Sequence, residues 1–126
     1  LDYVIDSKAA ACGAVTVLMK KLKIDIYQTK NIYLAGAFGT YTDMGNATLL
    51  GIFPEFPNGE YHPLGNGSLS GAYATLVSVD KRREAVEVAK SMVYIDLLVD
   101  LEFIDEYSKA LYLPGEKEYF PSYTKN

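Results

Sequence analysis

From position 1 to position 23, Ile5, Ala9, Cys12, Thr16, Met19 and Leu22 fall on one face at steps of three and four. That spacing predicts an amphipathic helix over 1–23. Lys20, Lys21 and Lys23 occupy its last turn, where cations suit the helix dipole. No capping residue precedes Leu1, so the helix is expected to start before it. Cys12 lies on the apolar stripe and reads as a packed thiol, while Lys8 beside the stripe reads as a solvated flank.

The pattern changes at Ile32-Tyr33-Leu34-Ala35, an unbroken run with no polar alternation. It predicts a strand buried on both faces, as in a sheet covered by helices. The run ends at Gly36, Ala37 and Phe38 follow, and Gly39 supplies a second glycine. Glycines here let the backbone turn with positive φ and let a ligand approach without meeting a Cβ. A short helix is expected over 42–50, with Thr42 as cap and Gly51 as stop. Pro54, Pro57 and Asn58-Gly59 make 52–59 a loop.

Tyr61 to Leu64 reads as a short edge strand, because Pro63 cannot donate to a ladder. Gly65-Asn66-Gly67-Ser68 is a second glycine turn, leading into a small, apolar helix from Leu69 to Ser78. Asp80 is the expected cap of a helix to about Lys90, with Ala85, Val88, Ala89 and Met92 inward. Met92 to Leu98 reads as a third strand. Asp100 caps a last helix with Ile104, Tyr107 and Leu111 inward, ended by Pro114-Gly115. Residues 116–126 read as a polar tail or linker with three aromatics. Strands alternating with helices indicate α/β layering on a small, mostly parallel sheet. Two glycine turns at strand ends can converge on one ligand crevice.

Length and composition narrow the picture. A chain of 126 residues is one domain or part of one. Sixteen acids against twelve Lys and Arg leave a net charge of −4, which argues against a nucleic-acid partner. No apolar run reaches the roughly 20 residues of a membrane span. The single cysteine rules out an internal disulfide framework and indicates a reducing, cytoplasmic setting. It also rules out an iron–sulfur cluster held by this chain alone. No signal peptide is read at the start, and a first residue other than methionine indicates a piece of a longer protein.

Catalytic chemistry is sparse. His62 is the only histidine and has no metal-ligand spacing around it, so it reads as structural. No nucleophile–base constellation and no phosphate loop with its lysine is present. Asp96, Asp100, Glu102, Asp105 and Glu106 read mostly as a solvated helix face. Two glycine turns fit to approach a nucleotide remain.

Taken together, Ile32 to Tyr41, Gly51-Ile52-Phe53-Pro54, Gly65-Asn66, Val93 to Leu97 and Phe103 to Pro114 follow one pattern. It resembles the C-terminal domain of the reductive activators of corrinoid proteins. These belong to the superfamily of acetate and sugar kinases, the heat-shock chaperone ATPase and actin. The resemblance runs from about Val4 to Pro114. It implies a ribonuclease-H-like ATPase core of two lobes with ATP, and its magnesium, in the cleft. Residues 1–113 would be the second lobe and 114–126 a tail or linker.

The resemblance also implies roles. Gly36, Ala37, Phe38 and Gly39 match the adenosine-binding turn, Gly65 and Asn66 the second turn, and Lys8 a helix lysine bordering the adenosine. Gly67-Ser68-Leu69-Ser70 and Pro63 depart from the pattern. Catalytic and phosphate-binding groups would lie in the first lobe, outside this chain. The implied activity is ATP-dependent reduction of a corrinoid cofactor from Co(II) to Co(I), with a corrinoid protein of a methyltransferase system as partner. Its electron would come through an iron–sulfur domain elsewhere in the protein. A homodimer is one assembly this reading allows. A lobe of a kinase or other ATPase of the superfamily, and a non-catalytic interaction domain, stand as alternatives.

Overall fold

The structure, a computed structural model, describes residues 2–124. Leu1, at the start of the expected first helix, and Lys125 and Asn126, at the end of the expected tail, lie outside the described residues. The fold is α/β, with helices packed on a small parallel sheet of two strands, β1 (Asn31–Ala35) and β2 (Glu60–Gly65). The chain divides into two compact units. Unit 1 holds Leu1–Ile32, Asp43–Tyr61 and Asp96–Asn126, and unit 2 holds Tyr33–Thr42 and His62–Ile95.

Unit 1 is built on a pair of helices, α1 (Asp2–Leu22) and α6 (Leu101–Ala110). Helix α1 buries Ala9, Cys12, Thr16 and Met19 as the periodicity requires, together with Lys8, Gly13 and Val17. Leu22 is exposed instead. Gly13 explains how close the helices come: a Cβ there would sit 3.0 Å from the backbone nitrogen of Tyr107. Helix α6 starts where expected, with the Asp100 carboxylate accepting from the backbone N–H groups of Glu102 (3.0 Å) and Phe103 (3.3 Å). Its buried face differs from the reading. Ile104 and Leu111 are exposed, and Glu106 and Ala110 are buried. The backbone that meets Gly13 is that of Glu106 and Tyr107, so these residues set which side of α6 faces α1.

Glu106 therefore corrects the expectation of a solvated carboxylate. Its buried carboxylate pairs with Lys20 at 2.7 Å and Lys109 at 3.0 Å. Burial alone would push its carboxyl up, but hydrogen bonds and charge from both lysines outweigh that and hold it below the ordinary value of 4.5. The segment read as a tail forms two short 3-10 turns, Lys117–Tyr119 and Pro121–Thr124. Tyr119 and Phe120 enter the same core as Ala9, Cys12, Met19, Ile26 and Ala110. Polar neighbours hid two core rings from a compositional reading.

The expected helix over 42–50 is α3 (Met44–Leu49). Its cap is Asp43 and not Thr42, since the Asp43 carboxylate accepts from Asn46 N at 2.9 Å. Gly51 follows with φ +75°, and a Cβ there would run into the Pro114 carbonyl.

In unit 2, α2 (Gly36–Tyr41) begins at the first glycine itself, earlier than the sequence suggested. Helices α4 (Gly67–Val77) and α5 (Val79–Ser91) form a hairpin. The α5 cap is Ser78, whose hydroxyl accepts from Lys81 N at 3.3 Å. Asp80 sits in the first turn rather than at the cap. The expected inner face of α5 is not buried: Ala85, Val88, Ala89 and Met92 line a shallow cleft against α4.

Two strand expectations change as well. Only Ile32 and Leu34 of β1 are half-buried, while Asn31, Tyr33 and Ala35 are exposed, so β1 has one covered face. No strand forms at 92–98: Met92, Val93 and Tyr94 are exposed without regular structure, because the sheet ends at two strands. No described helix is long and apolar enough to cross a membrane.

The lowered Glu106 carboxyl has a definite pH signature. Its stabilising contribution is fully present above the ordinary value of 4.5 and is lost as pH falls through the lowered folded value. Because Lys20 and Lys109 are about one-third exposed, screening keeps the effect modest. Urea denaturation as a function of pH should show the native protein losing midpoint below about pH 4.5, and Glu106→Gln flattening that limb.

Candidate functional site

The two glycine turns belong to one unit and sit at the same end of the sheet. Strand β1 ends at Ala35 and the chain turns at Gly36, with φ +88°, into α2. Strand β2 ends at Gly65, with φ +64°, and Asn66 starts α4. In a parallel pair the carboxyl ends lie side by side, and a Cβ on Gly67 would be 3.2 Å from the Ala35 Cβ. The structure thus brings Gly36, Ala37, Phe38, Gly39, Gly65 and Asn66 to adjacent strand ends. Open α/β sheets bind ligands outside the carboxyl ends of their strands.

Each residue has a distinct local task. A Cβ on Gly36 or Gly65 would meet nothing within 4 Å. These two glycines are therefore required by their left-handed backbone and not by crowding, and their surfaces stand open. Gly39 is the opposite case. It is buried, and a Cβ would fall 2.6 Å from the Leu34 Cβ and 2.9 Å from the Leu34 carbonyl carbon. Its bare backbone lets α2 fold back across the strand it has just left. Thr40 Oγ1 donates to the Gly36 carbonyl at 3.0 Å, and Thr42 N donates to the Phe38 carbonyl at 3.0 Å. Both bonds fix the turn. The Phe38 ring is half exposed. Asn66 caps α4, its side-chain oxygen accepting from Leu69 N at 3.0 Å. His62 stacks on Tyr33, ring centroids 5.1 Å apart.

Lys8 belongs to unit 1, and it is not a solvated flank. It is 2 % exposed, and its ammonium donates to the carbonyl oxygens of Ala110, Tyr112 (2.7 Å) and Pro114 (2.8 Å). Three donors meet three acceptors, which satisfies the group completely. Burial lowers its pKa from the ordinary lysine value, and the charge of Cys12 opposes that shift. Carbonyls at the end of α6 lack helical partners, and Lys8 supplies one from the neighbouring helix. Neither the lysine nor its acceptors form a motif in sequence, so periodicity could not find this cap.

Among the described residues no group of three His, Cys, Asp or Glu could hold a metal ion. The chemistry available at the turns is that of backbone groups and glycine surfaces: recognition and positioning of a bound molecule.

The comparisons with known proteins agree with one another. A model of the C-terminal domain of RACo, the ASKHA domain, matches residues 1–124. The corrinoid activation enzyme RamQ of Eubacterium limosum is 29 % identical over 101 residues, covering 80 % of this chain and 17 % of RamQ. A solved structure of a reductive activator for corrinoid, iron-sulfur protein superposes with a TM-score of 0.79 at 30 % identity. That match covers 94 % of this chain and 19 % of the activator. The chain thus spans less than a fifth of the length of these relatives.

Two substitutions separate the tasks described above. Lys8→Met leaves one buried and two part-buried carbonyls without their donor and should cost about 1–3 kcal/mol in urea denaturation. Gly36→Ala should cost only the strain of positive φ, about 1–2 kcal/mol, since its Cβ meets no neighbour. A Lys8→Met protein as stable as the native one would refute the capping role.

Proposed function

This chain belongs to the family of the C-terminal ASKHA domain of RACo, and from that membership we propose that it is the nucleotide-binding lobe of an ATP-dependent reductive activator of a corrinoid protein. The observation that carries the reading is the pair of open, positive-φ glycines at adjacent strand ends. They lie in a chain matched along residues 1–124 by a corrinoid activator's ASKHA domain. Gly36 to Gly39 would border the adenosine, and Gly65 and Asn66 would form the second edge of the same surface.

The residues fit such a group on physical grounds. The base of a nucleoside is planar with largely apolar faces, and it needs close backbone approach more than side-chain charge. Gly36 and Gly65 offer backbone with no Cβ, and Phe38 offers a half-exposed ring beside them. ATP, with magnesium, would supply the free energy that an uphill reduction lacks. Lys8 contributes by holding the 110–114 backbone, since its three donors are already engaged. In the whole protein, an iron–sulfur domain outside this chain would supply the one-electron chemistry, a low-potential donor being oxidised as the partner's corrinoid goes from Co(II) to Co(I).

The test is spectroscopic. Full-length protein, a chemical reductant and a Co(II) corrinoid protein are mixed, and Co(I) absorbance is followed with and without ATP. We expect faster or fuller Co(I) formation with ATP, and a smaller ATP effect in a folded Gly36→Val protein. Equal traces with and without ATP, or transfer of phosphate to a small molecule by the same preparation, would overturn the reading. The chain on its own is expected to release no phosphate from ATP, because transition-state charge on a phosphoryl group needs the phosphate loops and metal-holding carboxylates of the other lobe.

A further inference from the structure

An open cleft of about 330 Å³ lies wholly within unit 1, and the nucleotide reading makes no use of this cavity. Its volume is in the range of small-molecule sites, roughly 300–1,000 Å³. Three aromatic residues, Phe56, Tyr61 and Tyr123, and the thioether residue Met44 line it. Glu55 is the one charged residue in the lining. The Glu55 carboxylate accepts from Ser122 N at 2.9 Å and from the Ser122 hydroxyl. Both donors are neutral, so the hydrogen bonds fix the carboxylate in place without cancelling its charge. That charge is felt inside the cavity. Burial pushes the Tyr61 phenol up, a hydrogen bond with Thr48 pulls it down, and the Glu55 charge pushes it up again.

We propose that this cavity binds an alkylated ammonium cation, with the Glu55 carboxylate as counter-charge and Phe56, Tyr61, Tyr123 and Met44 as its walls.

Other ligand classes fit less well. An anion would meet Glu55 with no lysine, arginine or histidine in the lining to offset it. A hard metal ion needs several oxygen ligands, and the lining holds a single carboxylate. A primary ammonium needs three acceptors, and the carboxylate is already shared with Ser122. An alkylated ammonium spreads its charge over methyl groups that need no acceptor. Aromatic faces attract such cations through their quadrupole, and a methionine sulfur is soft and polarisable. The proposal is independent of nucleotide binding at unit 2, so either can fail alone.

The experiment is calorimetric titration of full-length protein with tetramethylammonium chloride, against sodium chloride at the same ionic strength. Choline and its neutral isostere 3,3-dimethylbutan-1-ol form a second pair. Saturable binding of tetramethylammonium and preference for choline over the alcohol are expected. Glu55→Gln should weaken binding at least tenfold and Tyr123→Leu about threefold to tenfold. The Tyr123 ring is 44 % exposed, so Tyr123→Leu carries the test if Glu55→Gln does not fold. Absence of saturable binding, equal affinity for choline and the alcohol, or unchanged affinity in the folded variants would overturn the proposal.

Discussion

The ammonium of Lys8 ties the first helix to backbone more than a hundred residues further along the chain. It reaches three carbonyls that no helix can satisfy, at the point where α6 gives way to the Tyr112-Leu113-Pro114 segment. A hydrocarbon side chain there would strand all three. A charge there without them would be too costly to bury. Two further contacts of unit 1 lie beside this one. With 110–114 held, Pro114 lies against Gly51 so closely that a Cβ is excluded, which anchors the end of α3. Phe120, a few residues on, packs against Gly115 and enters the core with Tyr119.

The same helix pair carries a second constraint, the buried Glu106 between Lys20 and Lys109. The two differ in kind. Lys8 is satisfied by backbone dipoles and depends on local geometry. Glu106 is satisfied by two mobile cations and depends on pH and salt. Gly13 links them, since it lets α1 and α6 approach until both groups are out of water. Unit 2 has no counterpart to either. Neither α4 nor α5 buries a residue; caps at Asn66 and Ser78 start them, and Arg82 Nε donates to the Thr75 carbonyl at 3.2 Å between them.

Sequence reasoning read most of the elements because they rest on local rules. Helix α1, its Ala9–Cys12–Thr16–Met19 stripe, the Asp100 cap and both glycine turns follow from spacing and side-chain type, and they form as expected. What could not be read depends on neighbours. Thr42 and Asp43 are both good caps, and only the geometry shows that Asp43 takes the role. Ile104 and Leu111 looked inward by hydropathy, but Gly13 selects the Glu106 side of α6. Tyr119 and Phe120 sit among charges and proline, and their burial depends on distant partners: both enter the core around Ala9 and Cys12, and Glu55 N donates to the Tyr119 carbonyl at 2.9 Å. For the turns, the sequence offered two reasons for glycine, positive φ and close approach, without dividing them among the residues. Gly36 and Gly65 answer to φ, whereas Gly39 answers to Leu34. The Lys8 cap and the Glu55 cavity are assembled from residues far apart in sequence and carry no motif.

Cys12 sits one helical turn from Lys8 on the buried stripe, and burial raises its thiol to about 11, against the attraction of Lys8 and with the help of Glu106. At neutral pH only on the order of one such thiol in ten thousand is ionised, whereas an ordinary thiol at 9.0 would be ionised about a hundredfold more often. The thiolate is the species that reacts with an alkylating reagent. Cys12 is the single cysteine of the chain, so a thiol reagent acting on this chain reports on one buried position in the face between α1 and α6.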